Sequence, residues 1–395
     1  MDTSNRRMFL RSSLIGASGA LLSMGSSAKA SPTIGDTPAG TKPLIKRKLG
    51  ATGIELPVVS MGVMRADNPG LVRAALAAGM VHLDTAHGYQ KGRNEEMLGN
   101  VLKGYKRDAY VIATKVPTEG GEGKAAVTAW LSKLDLSLQR LQLDHVDILY
   151  LHGVTSRGDV LNPAMLEALG TAKSSGRTKH IGVSTHENEP EVLDAAVESR
   201  VIEVVLTAIN FRQGYREALQ NAITRAGKAG IGVVAMKTMA GGFHDKERKH
   251  PINCTAALKW SLQNPHVTTA IPGVTSFEAL AANARVNEDL VLTEEERASI
   301  AFGPSEGGLY CDSCGTCIEG CPRRLPIPGF MRAYMYTYGY QDLAMARELL
   351  HTLTPERAAC TSCEACTASC VKGFDVASRI ADVRRVGDIP EEFLA

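Results

Sequence analysis

Three features are missing from this chain, and each absence excludes a class of protein. Its 395 residues contain no run of about 18 consecutive apolar residues, which a helix needs in order to span a membrane. Basic residues are not concentrated in any segment, so the sequence does not indicate nucleic acid or an anionic membrane surface as a partner. No predicted strand is followed by G-x-G-x-x-G, which disfavours a doubly wound sheet with a dinucleotide-binding turn.

Cysteine is also scarce over most of the chain. Eight of the nine cysteines lie in two groups near the C-terminus, and only Cys254 lies elsewhere. Cys254 falls in an apolar stretch with helical spacing, from Ile252 to Leu262. We therefore expect it to be a small buried core residue.

The two cysteine groups share the spacing C-x2-C-x2-C-x3-C. Three thiolates placed two residues apart can wrap one iron–sulfur cube, and the fourth can reach a second cube. The spacing therefore predicts two [4Fe–4S] clusters that exchange their fourth ligands. The predicted ligands of one cluster are Cys311, Cys314, Cys317 and Cys370, and those of the other are Cys321, Cys360, Cys363 and Cys366.

Zinc and disulfides are the two alternatives for these cysteines. Zinc takes four ligands and is often bound by C-x2-C pairs, but each group here has a third cysteine two residues further on. Disulfides would have to join one group to the other, because closely spaced cysteines are awkward to bridge. The sequence favours clusters and leaves both alternatives open.

The first thirty residues have the features of an export signal. They combine the adjacent Arg6 and Arg7, a short weakly apolar centre, and the cleavage sequence Ala28-Lys29-Ala30. The paired arginines resemble a twin-arginine signal, whose route carries folded proteins, and a general secretory signal is the alternative. Residues 31–44 are predicted to be a linker. We expect a periplasmic or otherwise exported protein with no membrane span in its mature form.

Residues 45–302 alternate short β-branched runs with amphipathic helical segments. Eight strand–helix units over about 250 residues are typical of a (β/α)8 TIM barrel, so an α/β barrel is the predicted fold and a doubly wound sheet is the alternative. Two short runs that flank a turn, Ile45–Lys48 and Gly53–Leu56, predict a hairpin that caps the barrel floor. The predicted barrel strands are Val58–Val63, Val81–Thr85, Ala109–Val116, Val146–His152, His180–Ser184, Val204–Asn210, Gly232–Thr238 and Thr268–Pro272.

Residues 303–395 form a second predicted domain. Apolar residues recur with helical spacing in Phe330–Met335 and in Leu343–Leu353, which lie between the two cysteine groups. Two four-cysteine segments joined by helices resemble a small helical ferredoxin-like domain with two clusters.

Four polar residues lie at or just beyond the ends of three consecutive predicted strands: Asp84 and Tyr89, Lys115, and His152. The carboxyl ends of the strands carry the active site in a TIM barrel. Reduction of a carbonyl requires a hydride at carbon and a proton at oxygen, and a phenol is a useful acid only where a cation stabilises its phenolate. Lys115 can supply that cation to Tyr89, while Asp84 keeps the ammonium charged.

His152 can hydrogen-bond the carbonyl oxygen and so fix the substrate. These four residues are therefore the predicted catalytic set. The alternative is that Lys115 and Asp84 are only a buried structural ion pair.

The order and strand placement of these four residues are similar to those of the aldo-keto reductase superfamily, over roughly Ile45 to Ala301. With the cysteine region added, the chain resembles the branch that ends in a ferredoxin-type module. The resemblance implies a small carbonyl or alcohol substrate and NADP or NAD as cofactor, with NADP preferred. It also implies a set of cofactor-binding residues, in which Lys237 is a candidate for the 2′-phosphate. That set is Ser184, Asn210, Lys237, Gly273 and Asn283.

Two functions follow from these observations. The first is an oxidoreductase that transfers a hydride between a nicotinamide cofactor and a carbonyl or alcohol, with two clusters for electron transfer and a redox protein as a further partner. The second is an exported iron–sulfur electron-transfer or structural protein whose barrel binds a partner without reductase activity. The complete catalytic set favours the first. Export and Met236, which stands where the superfamily often has an aromatic residue, favour the second.

Overall fold

The computed structural model describes residues 43–118, 123–301, 307–353, 360 and 366–394 of the chain. The predicted signal of residues 1–30 lies outside this part, as do most of the predicted linker and the predicted domain boundary between residues 302 and 303. Among the helices of the described part, none is both long enough and apolar enough to cross a membrane.

The β-branched runs of the sequence form a hairpin and a parallel sheet. Strands β1 and β2 pair antiparallel, and β3 to β10 lie side by side in sequence order, all parallel. Their bounds are β1 Lys46–Lys48, β2 Glu55–Pro57, β3 Met61–Gly62, β4 His82–Asp84, β5 Val111–Pro117, β6 Val146–His152, β7 Thr178–Thr185, β8 Val204–Ala208, β9 Gly232–Met236 and β10 Val267–Ala270. Strands buried on both faces need apolar side chains at nearly every position, which explains these continuous runs.

Backbone hydrogen bonds between the first and last strands of the sheet close it into a barrel. The Ser60 N–H donates to the Ala270 carbonyl at 2.8 Å, and the Gly62 N–H donates to the Pro272 carbonyl at 3.1 Å. A Cβ atom on Gly62 would lie 2.6 Å from the Ile271 carbonyl oxygen, so this close approach requires glycine. The predicted (β/α)8 barrel is confirmed, and the doubly wound alternative is wrong.

The predicted hairpin closes one end of the barrel. Leu49 and Leu56 are fully buried in the same apolar cluster as the interior side chains of Ile148 and Val204. A Cβ atom on Gly232, the first residue of β9, would lie 2.6 Å from the Leu49 side chain, so glycine makes room for the hairpin. At the opposite end the strands have their carboxyl termini, which is where the active site of a TIM barrel lies.

Helices cover the outside of the barrel and make up most of the C-terminal region. Several begin at side chains that accept a backbone N–H of the first turn, such as Asn68, Asn162 and Asn253. The helices are α1 Pro69–Ala77, α2 Arg93–Leu102, α3 Gly123–Leu141, α4 Arg157–Val160, α5 Pro163–Ser174, α6 Glu189–Ser199, α7 Arg216–Lys228, α8 Cys254–Ser261, α9 Phe277–Val286, α10 Glu294–Ser299, α11 Thr316–Glu319, α12 Ile327–Met335, α13 Leu343–Thr352 and α14 Val376–Arg384.

The C-terminal helices pack on each other and on the barrel. Phe330 of α12 is fully buried in an apolar cluster that also contains Phe211 and Ala257 of the barrel and Ile380 of α14. Barrel and C-terminal region belong to one compact unit, Thr33–Ala395. The helical segments predicted around residues 330–335 and 343–353 are confirmed as α12 and α13.

The prediction for Cys254 is wrong. Cys254 is exposed, and its thiol donates a weak hydrogen bond to the Ile252 carbonyl at 3.5 Å. It is the first residue of α8, whose buried face begins two residues later, at Ala256 and Ala257. Apolar spacing located the helix correctly, but its first turn projects beyond the core.

Candidate active site and cluster sites

Three neighbouring strands bring the predicted catalytic residues to one end of the barrel. Asp84 is the last residue of β4, Lys115 lies in β5, and His152 is the last residue of β6. The strands pair in register, with Asp84 opposite Ala113 and Lys115 opposite Tyr150. The carboxyl ends of β4, β5 and β6 therefore present these side chains to the same space.

Tyr89 reaches this space through a tight turn after β4. The His87 N–H donates to the Lys115 carbonyl at 2.9 Å, which holds the start of the turn against β5. Gln90 and Lys91 follow with left-handed φ values of 51° and 56°. The turn directs the Tyr89 ring inward, 4.7 Å from the Lys115 ammonium.

Lys115 is the centre of the arrangement. Its side chain is 1% exposed, and its ammonium donates to Asp84 Oδ1 at 2.5 Å, to the Thr85 carbonyl at 2.6 Å and to the Tyr89 hydroxyl at 3.2 Å. Burial lowers the pKa of Lys115, but the attraction of Asp84 and Tyr89 outweighs it and the pKa is raised overall. A charged ammonium therefore stands within hydrogen-bonding distance of the phenol.

His152 is the fourth of the predicted catalytic residues, and its imidazole ring is neutral. Its ring centre lies 6.0 Å from that of Tyr89, edge to face. Burial, followed by repulsion from Lys115, Lys237 and Arg332, lowers the pKa of His152 to about 3. At neutral pH the imidazole can therefore hydrogen-bond a substrate oxygen but does not act as a cationic acid.

Two of the predicted cofactor-binding residues lie in β7 and just after the neighbouring β8. Ser184 of β7 donates its hydroxyl to the Leu151 carbonyl at 3.3 Å and accepts the Gly153 N–H at 3.1 Å. Asn210 follows β8 and is buried, with its amide beside the phenol of Tyr310 from the C-terminal region. A buried amide at the barrel mouth can hydrogen-bond a bound polar group.

The remaining predicted cofactor residues separate into two places. Gly273 pairs with Gly62 just beyond β10, and a Cβ atom on Gly273 would meet nothing within 4 Å. Asn283 is buried in α9. Lys237 lies instead at the barrel mouth, where its ammonium is 3.3 Å from the Tyr336 hydroxyl of the C-terminal region.

Sequence reasoning missed two residues of the mouth, His186 and Arg332. Both line a cavity with Lys237. His186 directly follows β7, so its position at the carboxyl end of a strand was a usable signal. Arg332 belongs to α12, and no local pattern places that helix over the barrel.

Four cysteines from both groups line one cavity of the C-terminal region, namely Cys311, Cys314, Cys317 and Cys370. Apolar side chains such as Ile327 and Met331 also line it, together with the ion pair of Asp312 and Lys372. Burial raises the pKa of Cys311 to about 12 and that of Cys317 to about 11, so thiolates there need a bound positive group. This donor set fits an iron–sulfur cluster.

Within the described ranges, no three His, Cys, Asp or Glu side chains are grouped closely enough to hold a single metal ion.

The second predicted ligand set is described only in part. Cys321 is buried, Cys360 is partly buried, Cys366 is exposed, and Cys363 lies outside the described residues. The Thr367 hydroxyl donates to the Gly320 carbonyl at 2.7 Å. This contact places the segment that follows Cys366 beside Cys321, as an exchange of fourth ligands requires.

Both the barrel and the C-terminal region match known protein families. Residues 62–255 match the Aldo/keto reductase family, and residues 310–375 match the 4Fe-4S dicluster domain. The L-galactose dehydrogenase of Arabidopsis thaliana is 27% identical, and the match covers 62% of this chain and 88% of that protein. The L-glyceraldehyde 3-phosphate reductase of Escherichia coli (strain K12) is 24% identical and covers 67% of this chain and 93% of its own length.

Solved structures give the same assignment for the barrel. The holo form of an aldo-keto reductase from Bacillus halodurans has a TM-score of 0.54 and 25% identity, over 65% of this chain and 95% of that one. An aldo-keto reductase from Klebsiella pneumoniae in complex with NADPH has a TM-score of 0.53 and 25% identity, and the match covers 65% of this chain and 94% of that one. The chain thus carries an aldo-keto reductase domain followed by a 4Fe-4S dicluster domain, and it is an NAD(P)-dependent oxidoreductase.

We expect Cys370→Ala to remove one cluster and leave the other, because Cys370 shares a cavity with three cysteines of the first group. Anaerobically purified protein should contain about eight irons per chain, and the variant about four. Iron and sulfide analysis with electron paramagnetic resonance measures both. Cys254→Ala is the matched control and should keep all its iron. About four irons or fewer in the parent, or zinc in their place, would contradict two clusters.

Proposed function

We propose that this enzyme transfers a hydride between NADP(H) and a small carbonyl or alcohol, at the carboxyl end of the barrel. The observation that carries the proposal is the Lys115 ammonium, which contacts both Asp84 and the Tyr89 hydroxyl. A buried ion pair of purely structural use would not need a phenol as its third partner. The Tyr89 ring also lies edge to face with His152, with 6.0 Å between the ring centres.

Each side chain has one task in this reaction. Tyr89 gives its proton to the carbonyl oxygen, and Lys115 stabilises the phenolate that remains. Asp84 keeps the ammonium of Lys115 in place. His152, neutral at the working pH, hydrogen-bonds the same oxygen and orients the carbonyl. The nicotinamide, when bound, supplies or accepts the hydride.

We favour NADP over NAD as the cofactor. The Klebsiella pneumoniae relative was solved in complex with NADPH. The buried Asn210 amide, two residues beyond the end of β8, is a candidate to hold the carboxamide of either cofactor.

The clusters are proposed to exchange electrons with the barrel mouth. Cys311 lines both the cysteine cavity and the cavity that contains Lys237 and His186. A cluster held by Cys311 would therefore share a wall with the active site. A hydride carries two electrons and one proton. Two clusters that each accept one electron would together take both electrons, and the proton would be released. A redox protein outside is the partner that receives or supplies these electrons.

Export in the folded state is the last part of the proposal. Its support is the pair Arg6 and Arg7, together with eight clustered thiols that would be oxidised if the chain crossed unfolded into a disulfide-forming compartment. The cofactor and the clusters are then loaded before export, and the mature protein works in the periplasm or another exported location.

Tyr89→Phe is expected to abolish carbonyl reduction while NADPH binding stays nearly unchanged. The hydroxyl acts when the carbonyl oxygen takes its proton, so its loss should lower the rate of the chemical step and leave binding in the ground state alone. Single-turnover reduction of an aldehyde and NADPH fluorescence titration measure the two effects. Tyr105→Phe, outside the mouth, is the control. A Tyr89→Phe rate above about a tenth of the parent rate would show that Tyr89 is not the acid.

Replacing Arg6 and Arg7 together by lysine should leave cluster-bearing precursor inside the cell. The twin-arginine route reads the paired guanidinium groups, and lysine keeps only their charge. Immunoblots of cell fractions, with iron analysis of the retained protein, provide the measurement. Arg11→Lys makes the same chemical change outside the pair and should export normally. Normal export and cleavage of the double variant would assign the signal to the general secretory route.

A further inference from the structure

A cavity at the barrel mouth is built jointly by the two domains. The barrel contributes His186 after β7 and Lys237 after β9. The C-terminal region contributes Tyr310, Ser313, Arg332 and Met335. The two domains are thus both needed to form its walls.

Lys237 brings a positive charge to this cavity without a carboxylate to balance it. Its ammonium lies 3.3 Å from the Tyr336 hydroxyl, and 4.9 Å and 5.6 Å from the ring centres of Tyr336 and Tyr340. It makes no ion pair with any residue that the structure describes. The Lys237 backbone has a left-handed φ of 56°, a conformation that is unfavourable for a residue other than glycine and is concentrated at functional sites.

The other charges at the mouth are paired. Lys115 is balanced by Asp84, and Arg332 forms an ion pair with Glu187. The Nε atom of Arg332 is nevertheless buried and has no hydrogen-bond acceptor among the described residues. A buried guanidinium N–H without an acceptor is a donor that a ligand oxygen can use.

The two histidines of the mouth add no charge. Burial, with repulsion from Lys237 and Arg332, lowers the pKa of His186 well below its usual value, and His152 is also neutral. Among the described side chains of the mouth, Lys237 is therefore the cation that no carboxylate balances.

We infer that Lys237 and the free N–H of Arg332 bind a carboxylate on the substrate, so that the enzyme acts on small oxo or hydroxy acids. The inference rests on the proposed hydride transfer and names its substrate class. A single positive charge and one free N–H match a carboxylate monoanion better than a phosphate dianion. With its carboxylate held there, the substrate presents its carbonyl towards Tyr89 and His152, which lie at the same end of the barrel as Lys237.

The test compares two small compounds of nearly equal size, oxamate, which carries a carboxylate, and oxamide, which is neutral. Calorimetric titration into cluster-loaded protein with NADP bound measures their dissociation constants. We expect oxamate to bind and oxamide to bind at least tenfold more weakly. Lys237→Met should weaken oxamate binding at least tenfold, and Lys237→Arg should retain most of it, because the charge remains.

Matched variants separate this inference from its rivals. Lys173→Met removes an exposed lysine of α5 that pairs with Glu203, and it should bind oxamate like the parent. Equal binding of oxamate and oxamide, no binding of either, or unchanged oxamate binding in Lys237→Met would overturn the inference. Weaker NADPH binding with unchanged oxamate binding would assign Lys237 to the cofactor phosphate. Reduction of a neutral aldehyde with NADPH by the parent protein, and its loss in Tyr89→Phe, would support the proposed function whatever happens to oxamate.

Discussion

The buried ammonium of Lys115 is the interaction on which the site depends. Three oxygens, from Asp84, Thr85 and Tyr89, surround it within 3.2 Å, and they come from β4 and the turn that follows. Parallel pairing of β4 with β5 sets this geometry, since a one-residue slip would turn Lys115 to the other face. Removing one partner of such a pair typically costs about 3–5 kcal/mol, so the pair constrains both the barrel and its chemistry.

The C-terminal region extends this site into a covered mouth. A Cβ atom on Gly339 would lie 2.5 Å from the Gly241 carbonyl oxygen, so the loop after β9 and the turn after α12 meet backbone to backbone. Lys372 is buried and donates to Asp312 at 2.8 Å and to the Arg212 carbonyl at 2.7 Å, which ties both cysteine groups to the barrel. The cluster region therefore forms one wall of the active site.

Local patterns in the sequence predicted the barrel and the meeting of Asp84, Tyr89, Lys115 and His152 at one end of it, because strand ends in a TIM barrel lie at one face. The strand predicted as Val204–Asn210 ends two residues earlier in the structure, at Ala208, and Asn210 lies in the loop beyond it. Contacts between the domains were beyond sequence reasoning. Lys237 and Arg332 are far apart along the chain, and only the packing of α12 over the mouth brings them to one cavity. The prediction that Cys254 is buried was wrong for a similar reason, since helical spacing does not reveal where a helix leaves the core.

We propose that the barrel mouth and the first cluster form one redox site, in which Cys311 lines both cavities. Anaerobic stopped-flow absorbance can test this, with NADPH mixed into oxidised protein and NADP+ mixed into protein whose clusters were reduced beforehand. We expect electrons to pass between nicotinamide and clusters in the direction that their potentials allow, as fast as turnover, with one nicotinamide converted for two cluster electrons. No exchange in either direction, with NADP(H) bound and both clusters intact, would contradict it.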